Sequence, residues 1–136
     1  MTMTPPAPLD RVLGLLRAIE SGGGAPALEP FLAADYVLTE APHLLDPKGS
    51  TRSRAQVLAA ADRSGEVVTG QRFEVQRSTS EANRVVVEAE WSATLQLDLP
   101  LWDRGEQIRA RTASIFELRD GLIVSQHSYD CYYTPE

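Results

Sequence analysis

Apolar and polar side chains alternate along residues 84–99, RVVVEAEWSATLQLDL. The odd positions from Val85 through Trp91 to Leu99 are apolar, and the even positions after Val86 are polar. Successive side chains of a β-strand point to opposite faces, whereas apolar residues of a helix recur every three to four positions. The pattern therefore predicts one long strand in a sheet whose two faces differ chemically.

The period of the apolar residues changes along the chain, from helical before Gly65 to strand-like after it. A capping-box match at Ser53–Gln56 marks the start of one helix. The predicted elements are helices over 9–21, from 26 and over 53–63, an irregular loop over 41–52, and strands over 36–39, 67–78, 84–99, 108–118 and 122–133. Three helices followed by an antiparallel meander predict an α+β domain, with the helices on one face of the sheet.

The length of 136 residues predicts one domain over 9–136, after a Thr/Pro-rich arm over 1–8. A net charge of −6 and the lack of a basic stripe argue against nucleic acid and against an anionic membrane surface as partners. The N-terminus has no signal-peptide pattern, and a single cysteine cannot form an intrachain disulfide, so we expect a cytoplasmic protein. His43 and His127 lie in no metal-ligand pattern, and we expect neither a metal nor a cofactor.

The order of the elements resembles the nuclear transport factor 2-like superfamily, and within it the group of SnoaL-like polyketide cyclases, ketosteroid isomerases and limonene epoxide hydrolases. The likeness rests on a first helix that ends in glycines, on PFLAADYVLTEAP at 30–42 and on SIFELRDGLIVSQHSYD at 114–130. The resemblance implies a cone formed by a curved sheet and three helices, a pocket for a small apolar molecule, and a homodimer through the outer sheet face. It also implies cofactor-free cyclisation, isomerisation or epoxide hydration.

The catalytic sets that the resemblance would carry over are missing from this chain. The positions of the isomerase base and its two oxyanion donors hold Ala41, Leu15 and Ser114, and those of the epoxide hydrolase triad hold Glu90, Ser92 and Ser128. Many SnoaL-like proteins carry a late aspartate, and Asp130 is the nearest counterpart here. The resemblance therefore predicts Asp130 as the candidate acid or base.

Asp130 and two glutamates have two interpretations each. In a dry pocket the pKa of Asp130 would rise and suit proton transfer near neutral pH, whereas at a solvated strand end Asp130 would pair with Arg109 or Arg111. Glu88 and Glu90 would line an acidic pocket wall if the even positions of their strand face the cone. They would be ordinary solvent-facing carboxylates if the odd positions do.

The parity of the last strand divides its polar residues between two faces. Ser128, Asp130 and Tyr132 share one face, while His127, Tyr129, Cys131 and Tyr133 share the other, so Cys131, His127 and Asp130 form no catalytic set. Cys131 is expected to be a packed small hydrophobe. The remaining candidates for ligand contact are Tyr36, Glu40, His43, Trp102 (at the pocket mouth or a dimer rim), Phe116, Ser128 and Tyr132.

Three classes of function stay open at the level of the sequence. They are a SnoaL-like enzyme that moves protons, a non-catalytic binder of a small apolar molecule, and an interaction module whose cone is filled by its own side chains. A homodimer is expected in addition, because the long apolar odd face of residues 85–99 would otherwise leave an exposed patch.

Overall fold

The computed structural model describes residues 6–135, which form three α-helices and a large mixed sheet. The helices are α1 (Pro8–Ser21), α2 (Ala25–Leu28) and α3 (Arg54–Arg63), and the strands are β1 (Leu32–Glu40), β2 (Ser50–Ser53), β3 (Val68–Glu81), β4 (Arg84–Leu95), β5 (Gln107–Arg119) and β6 (Leu122–Tyr132). The sheet order is β2-β1-β6-β5-β4-β3. The α+β cone predicted from the sequence is confirmed.

Several boundaries differ from the sequence prediction. Strand β1 begins at Leu32, ahead of the predicted segment, and it runs parallel to β6. The predicted irregular loop contains β2, which pairs antiparallel with β1. The apolar alternation continues beyond the end of β4 at Leu95. Residues 1–5 of the predicted arm lie outside the described residues, and Pro8 already belongs to α1.

Local sequence signals account for the ends of two helices. Gly22 has φ 69°, a left-handed conformation that costs glycine little, and its N–H donates to the carbonyl of Ile19 at the end of α1. At the start of α3, Ser53 and Gln56 form a reciprocal capping box, as predicted.

The two faces of the sheet are called here the inner face, which packs on the helices, and the outer face, which lies opposite. The odd residues of β4 are on the inner face, where Val85, Val87 and Ala89 are buried with Phe116 and Ile123 against α1. Register shifts in β3, in β1–β6 and between Glu117 and Leu118 mark irregularities of the kind that bend strands. The curved sheet and the helices thus surround a core.

This orientation corrects the reasoning behind the predicted dimer. The apolar stripe of β4 is buried, partly against the helices and, at Ala93 and Leu95, against Trp102 and Ile108, so it leaves no exposed patch that needs a second copy. The even residues Glu88 and Glu90 are on the outer face, where their neighbours on β5 are Ala113 and Arg111.

Candidate functional site

A cavity of about 250 Å³ lies between the helices and the inner face of the sheet. Its helical side is apolar, because α1 presents leucine and isoleucine side chains and α3 presents Val57. Its sheet side carries polar groups on β1, β5 and β6. The lining residues with polar side-chain atoms are Tyr36, Glu40, Gln71, Trp91, Thr112, Ser114, Gln126, Ser128, Asp130 and Tyr132.

Asp130 is on the inner face of β6, beside Thr112 of β5, and its carboxyl group lines the cavity. Burial raises the pKa of Asp130, and the charge of Glu40 raises it further, while His43 acts in the opposite direction. The arginines proposed as alternative partners lie on the outer face. Arg111 is 3.6 Å from Glu90, and the Arg109 guanidinium stacks 4.8 Å from the Tyr133 ring. Asp130 is therefore a cavity residue.

A chain of hydrogen bonds crosses the polar side of the cavity. The Tyr36 hydroxyl donates to Oε1 of Gln126 at 2.8 Å, and Nε2 of Gln126 donates to the Ser128 hydroxyl at 3.1 Å. The Ser128 and Ser114 hydroxyls are 3.1 Å apart. Burial raises the pKa of both Tyr36 and Tyr132, so both phenols stay protonated; Tyr36 donates its hydrogen bond to Gln126.

Glu40 and His43 lie together at one side of the cavity. Nδ1 of His43 accepts the N–H groups of Leu45 at 3.1 Å and Asp46 at 3.2 Å, which leaves the proton of the neutral ring on Nε2. Nε2 is 3.4 Å from Oε2 of Glu40. The His43 side chain is only 6 % exposed, and its ring lies 5.4 Å from the ring of Tyr132.

Five of the candidates from the sequence line the cavity, and His43 contacts two of these, Glu40 and Tyr132. Tyr36, Glu40, Ser128, Asp130 and Tyr132 all line the cavity.

Four other candidates lie outside the cavity lining: Glu88, Glu90, Phe116 and Trp102. Glu88 and Glu90 are on the outer face, since the odd residues of β4 face inward; Glu88 pairs with Arg77 at 2.7 Å, and Glu90 accepts from the Tyr133 hydroxyl at 2.8 Å. Of the two interpretations given for these glutamates, the solvent-facing one fits the structure and the acidic pocket wall does not. Phe116 is fully buried in the core, away from the lining.

Trp102 and Cys131 also differ from expectation. Trp102 is buried in a second cluster with Ala93, Leu95 and Ile108, so it is neither at a rim nor exposed. Cys131 is exposed rather than packed, because its odd position on β6 points to the outer face.

Sequence reasoning missed several cavity residues. The candidates from the sequence do not include Thr112, Ser114, Gln126 or Trp91, whose Nε1 donates to Gln71 at 3.1 Å. A usable signal was present on β5: Thr112 and Ser114 are polar at even positions that elsewhere hold Ile108, Ala110, Phe116 and Leu118. Polar interruptions of a buried face indicate a cavity.

Two further features of the described residues concern a metal site and a membrane-spanning helix. Within residues 6–135, no group of three or more His, Cys, Asp or Glu side chains is placed to hold a metal ion. In the same part of the chain, no helix is long and apolar enough to cross a membrane.

Helices packed on a curved sheet around an apolar cavity with polar groups on its sheet side define the nuclear transport factor 2-like class. The chain belongs to the SnoaL-like domain family, which matches residues 12–126. No curated protein matches the sequence.

Solved structures with the same fold include several described as polyketide cyclases. IdmH, a putative polyketide cyclase from Streptomyces antibioticus, is 21 % identical with a TM-score of 0.75, covering 92 % of each chain. A putative SnoaL-like polyketide cyclase from Shewanella denitrificans is 15 % identical with a TM-score of 0.74, covering 92 % of this chain and 90 % of its own. A protein with a ketosteroid isomerase-like fold from Catenulispora acidiphila, in complex with trimethylamine, is 19 % identical with a TM-score of 0.70, covering 96 % and 88 %. At these identities the likeness shows the fold alone.

Proposed function

We propose that this protein is a cofactor-free enzyme that transfers protons to and from a small apolar substrate, with Asp130 as the acid or base. The observation that carries the proposal is the position of Asp130, a carboxyl group that burial and a neighbouring charge make easier to protonate, on the wall of an apolar cavity. General acids and bases work best when their pKa lies near the working pH, and burial moves a carboxyl group in that direction.

The surroundings of Asp130 suit a carbonyl or epoxide oxygen on the substrate. The Tyr132 phenol adjoins Asp130 on the same face of β6, and the Ser128 hydroxyl is on its other side. These neutral donors can stabilise negative charge that develops on an oxygen without themselves losing a proton. Membership of the SnoaL-like family supports cyclisation or isomerisation as the type of reaction.

The size of the cavity restricts the substrate. A volume of about 250 Å³ is just below the usual range for ligand pockets, which is about 300–1,000 Å³. A substrate with one ring fits this volume better than a fused polycyclic compound. The helical wall of leucine, isoleucine and valine favours an apolar body, with its oxygen directed at the sheet.

The test is the exchange of the α-hydrogens of cyclohexanone for deuterium, followed by proton NMR. We expect the wild-type protein to accelerate exchange over buffer and Asp130→Asn to lose about 10²-fold or more of that acceleration. Asp35→Asn is the matched control, because Asp35 is an exposed partner of Arg119 and is not among the residues that line the cavity. Full activity of Asp130→Asn would overturn the proposal.

A second candidate function is the binding of a small ammonium ion without chemistry. Two carboxylates, Glu40 and Asp130, share the cavity with the rings of Trp91 and Tyr132, and aromatic faces attract cations. The complex of the Catenulispora acidiphila protein with trimethylamine supports this candidate. Calorimetry with trimethylammonium chloride tests it: tight binding that Asp130→Asn weakens, with no exchange of cyclohexanone, would favour a binder. The open cavity argues against a cone filled by its own side chains.

A homodimer through the outer face stays a proposal, on a basis other than the stripe of β4. Tyr129 is 49 % exposed on this face, beside Ala113 of β5, and the half-buried Ile115 and Val86 lie opposite each other on β5 and β4. Val37, 38 % exposed, lies on the same face beside Ser125 of β6. Sedimentation should show a dimer that Tyr129→Arg dissociates, and a wild-type monomer at micromolar concentration would contradict it. The cytoplasmic location stays a prediction.

A further inference from the structure

The Glu40 side chain is the second carboxylate of the cavity, and the proposed function assigns it no role. It lies on the inner face of β1, opposite Ser128 of the parallel strand β6, and its side chain is 22 % exposed. Asp130 is two residues further along β6 and thus on the same face. The charge of Glu40 reaches Asp130, because it contributes to raising the pKa of that residue. Glu40 and Asp130 thus line one cavity from the neighbouring strands β1 and β6.

Hydrogen bonds from the backbone hold the His43 ring in one orientation. The backbone N–H groups of Leu45 and Asp46 both donate to Nδ1, and the isolated bridge between His43 and Asp46 holds this turn closed. The Nε2–H group is consequently directed at Oε2 of Glu40. A nearly buried histidine with both nitrogens in use fixes where the Glu40 carboxylate lies.

We propose that Glu40 is a second catalytic residue of the site and that His43 is its positioning residue, so that Glu40 and Asp130 act as a base and an acid on one substrate. This inference rests on the proposed function and extends it to a substrate class: a small ketone with an acidic hydrogen on the carbon next to its carbonyl group. Two carboxyl groups that share one site do not ionise together as readily as they do apart. We assign the proton to Asp130, since burial and the charge of Glu40 raise its pKa.

The reaction balances with these two groups alone. The Glu40 carboxylate takes the α-hydrogen as a proton, the electron pair of that C–H bond becomes the C=C bond of an enol, and the Asp130 carboxyl group gives its proton to the carbonyl oxygen. In the return step the Asp130 carboxylate takes back the proton from the enol oxygen, and Glu40 delivers its proton to carbon. Where the enol is conjugated with a second C=C bond, delivery of the proton to the far carbon shifts the double bonds and gives isomerisation. Attack of the enol carbon on a second carbonyl group, whose oxygen takes a proton while the enol oxygen loses one, gives cyclisation.

The groups that face this pair come from three segments. Tyr36 is on β1, His43 is in the following loop, and Tyr132 is on β6. The phenols stay neutral because burial raises their pKa values. The phenols therefore act as hydrogen-bond donors and take no part in moving protons between the carboxyl groups and the substrate.

Two probes separate the roles of the two carboxylates. Exchange of the α-hydrogens of cyclohexanone needs both the base and the acid, whereas ring opening of 5-nitrobenzisoxazole needs only a base that removes one hydrogen as the N–O bond breaks. We expect Glu40→Gln to lower kcat about 10²-fold or more for both probes, and Asp130→Asn to lower it for exchange while ring opening continues. Glu88→Gln on the outer face is the matched control and should behave as wild type.

Variants at His43 test positioning apart from folding. In His43→Asn the amide oxygen can replace Nδ1 as acceptor for the loop, but nothing replaces the Nε2–H donor; in His43→Gln the amide nitrogen reaches the place of Nε2. We expect His43→Asn to lower kcat about tenfold with KM within about twofold, and His43→Gln to recover most of the loss. A purely structural role would instead give two variants that fail together in step with their unfolding midpoints.

The failures of the two proposals are distinguishable. If Asp130→Asn abolishes exchange while Glu40→Gln retains wild-type kcat for both probes, the role of Glu40 is wrong and that of Asp130 stands. If wild-type protein accelerates neither probe, or if Asp130→Asn exchanges at the full rate, the proposed function itself is overturned.

Discussion

The inner and outer faces of the sheet both carry carboxylates, but the charged groups around those carboxylates differ. On the outer face Glu88 lies 2.7 Å from Arg77, and Asp35 lies 2.7 Å from Arg119. On the inner face Asp130 shares a cavity with a second acid, Glu40, and with no arginine or lysine among the described lining residues. The same residue type is therefore a solvated ion-pair partner on one face and a group with a raised pKa on the other.

The difference shows that the position of a strand residue, rather than its type, decides its chemistry. Alternation along a strand sends adjacent side chains to opposite faces. Asp130 and Cys131 are neighbours in β6, but their side chains lie in different environments. An arginine beside a carboxylate holds the pKa of that carboxylate low, as Arg119 does for Asp35, and removes it from proton transfer near neutral pH.

The largest difference between the faces should be in stability. Phe116→Ala on the inner face should lower the free energy of unfolding by about 3–5 kcal/mol, because Phe116 is fully buried and leaves a cavity in the core. Ile115→Ala, one residue away on the outer face, should cost only about 1 kcal/mol, because Ile115 is half-buried. Urea denaturation measures both. Equal losses would mean that the outer face is covered in solution.

Replacing Asp130 should raise the free energy of unfolding, whereas replacing Phe116 lowers it. The size of the change should lie between those expected for Phe116→Ala and Glu88→Gln. A raised pKa means that the folded state binds the proton more tightly than the unfolded chain, so ionisation of Asp130 destabilises the fold as pH rises through its folded pKa. Asp130→Asn should therefore raise the free energy of unfolding near pH 7 by about 0.5–2 kcal/mol, and the gain should vanish below the ordinary aspartate pKa of 3.8.

Asp35→Asn is the control of opposite sign for that experiment. The Arg119 guanidinium lowers the pKa of Asp35, so its contribution is present above the ordinary aspartate pKa and is lost as pH falls through the folded value. Denaturation curves across this pH range should show Asp130→Asn above wild type at neutral pH and Asp35→Asn no higher than wild type. A destabilised Asp130→Asn at neutral pH would show that the carboxylate has a partner in solution.

The fold was predictable because its signals are local and periodic. The alternation of β4 and the capping box at Ser53 each depend on neighbouring residues alone, and both are confirmed. The parallel pairing of β1 with β6 and the short β2 were missed, because pairing between distant segments leaves no periodic trace.

The site was only partly predictable for a related reason. Parity grouped Ser128, Asp130 and Tyr132 correctly, since it operates within one strand. Parity within a strand does not show which face of β4 turns inward. It therefore could not decide whether Glu88 lines the cavity with the β6 residues. The turn that orients His43 depends on two backbone N–H groups, a geometry that composition does not reveal.

The smallest expected effect is at the outer ion pair. Glu88→Gln should change the free energy of unfolding by less than about 1 kcal/mol, because the Arg77 side chain is 70 % exposed and water screens the pair. Added salt should bring the wild type and the variant closer together, since exposed charges are screened within about 10 Å at 0.1 M. Urea denaturation at low and high salt measures both effects. A loss above about 2 kcal/mol, unaffected by salt, would place Glu88 in a buried environment such as an interface between copies and would remove the contrast between the two faces.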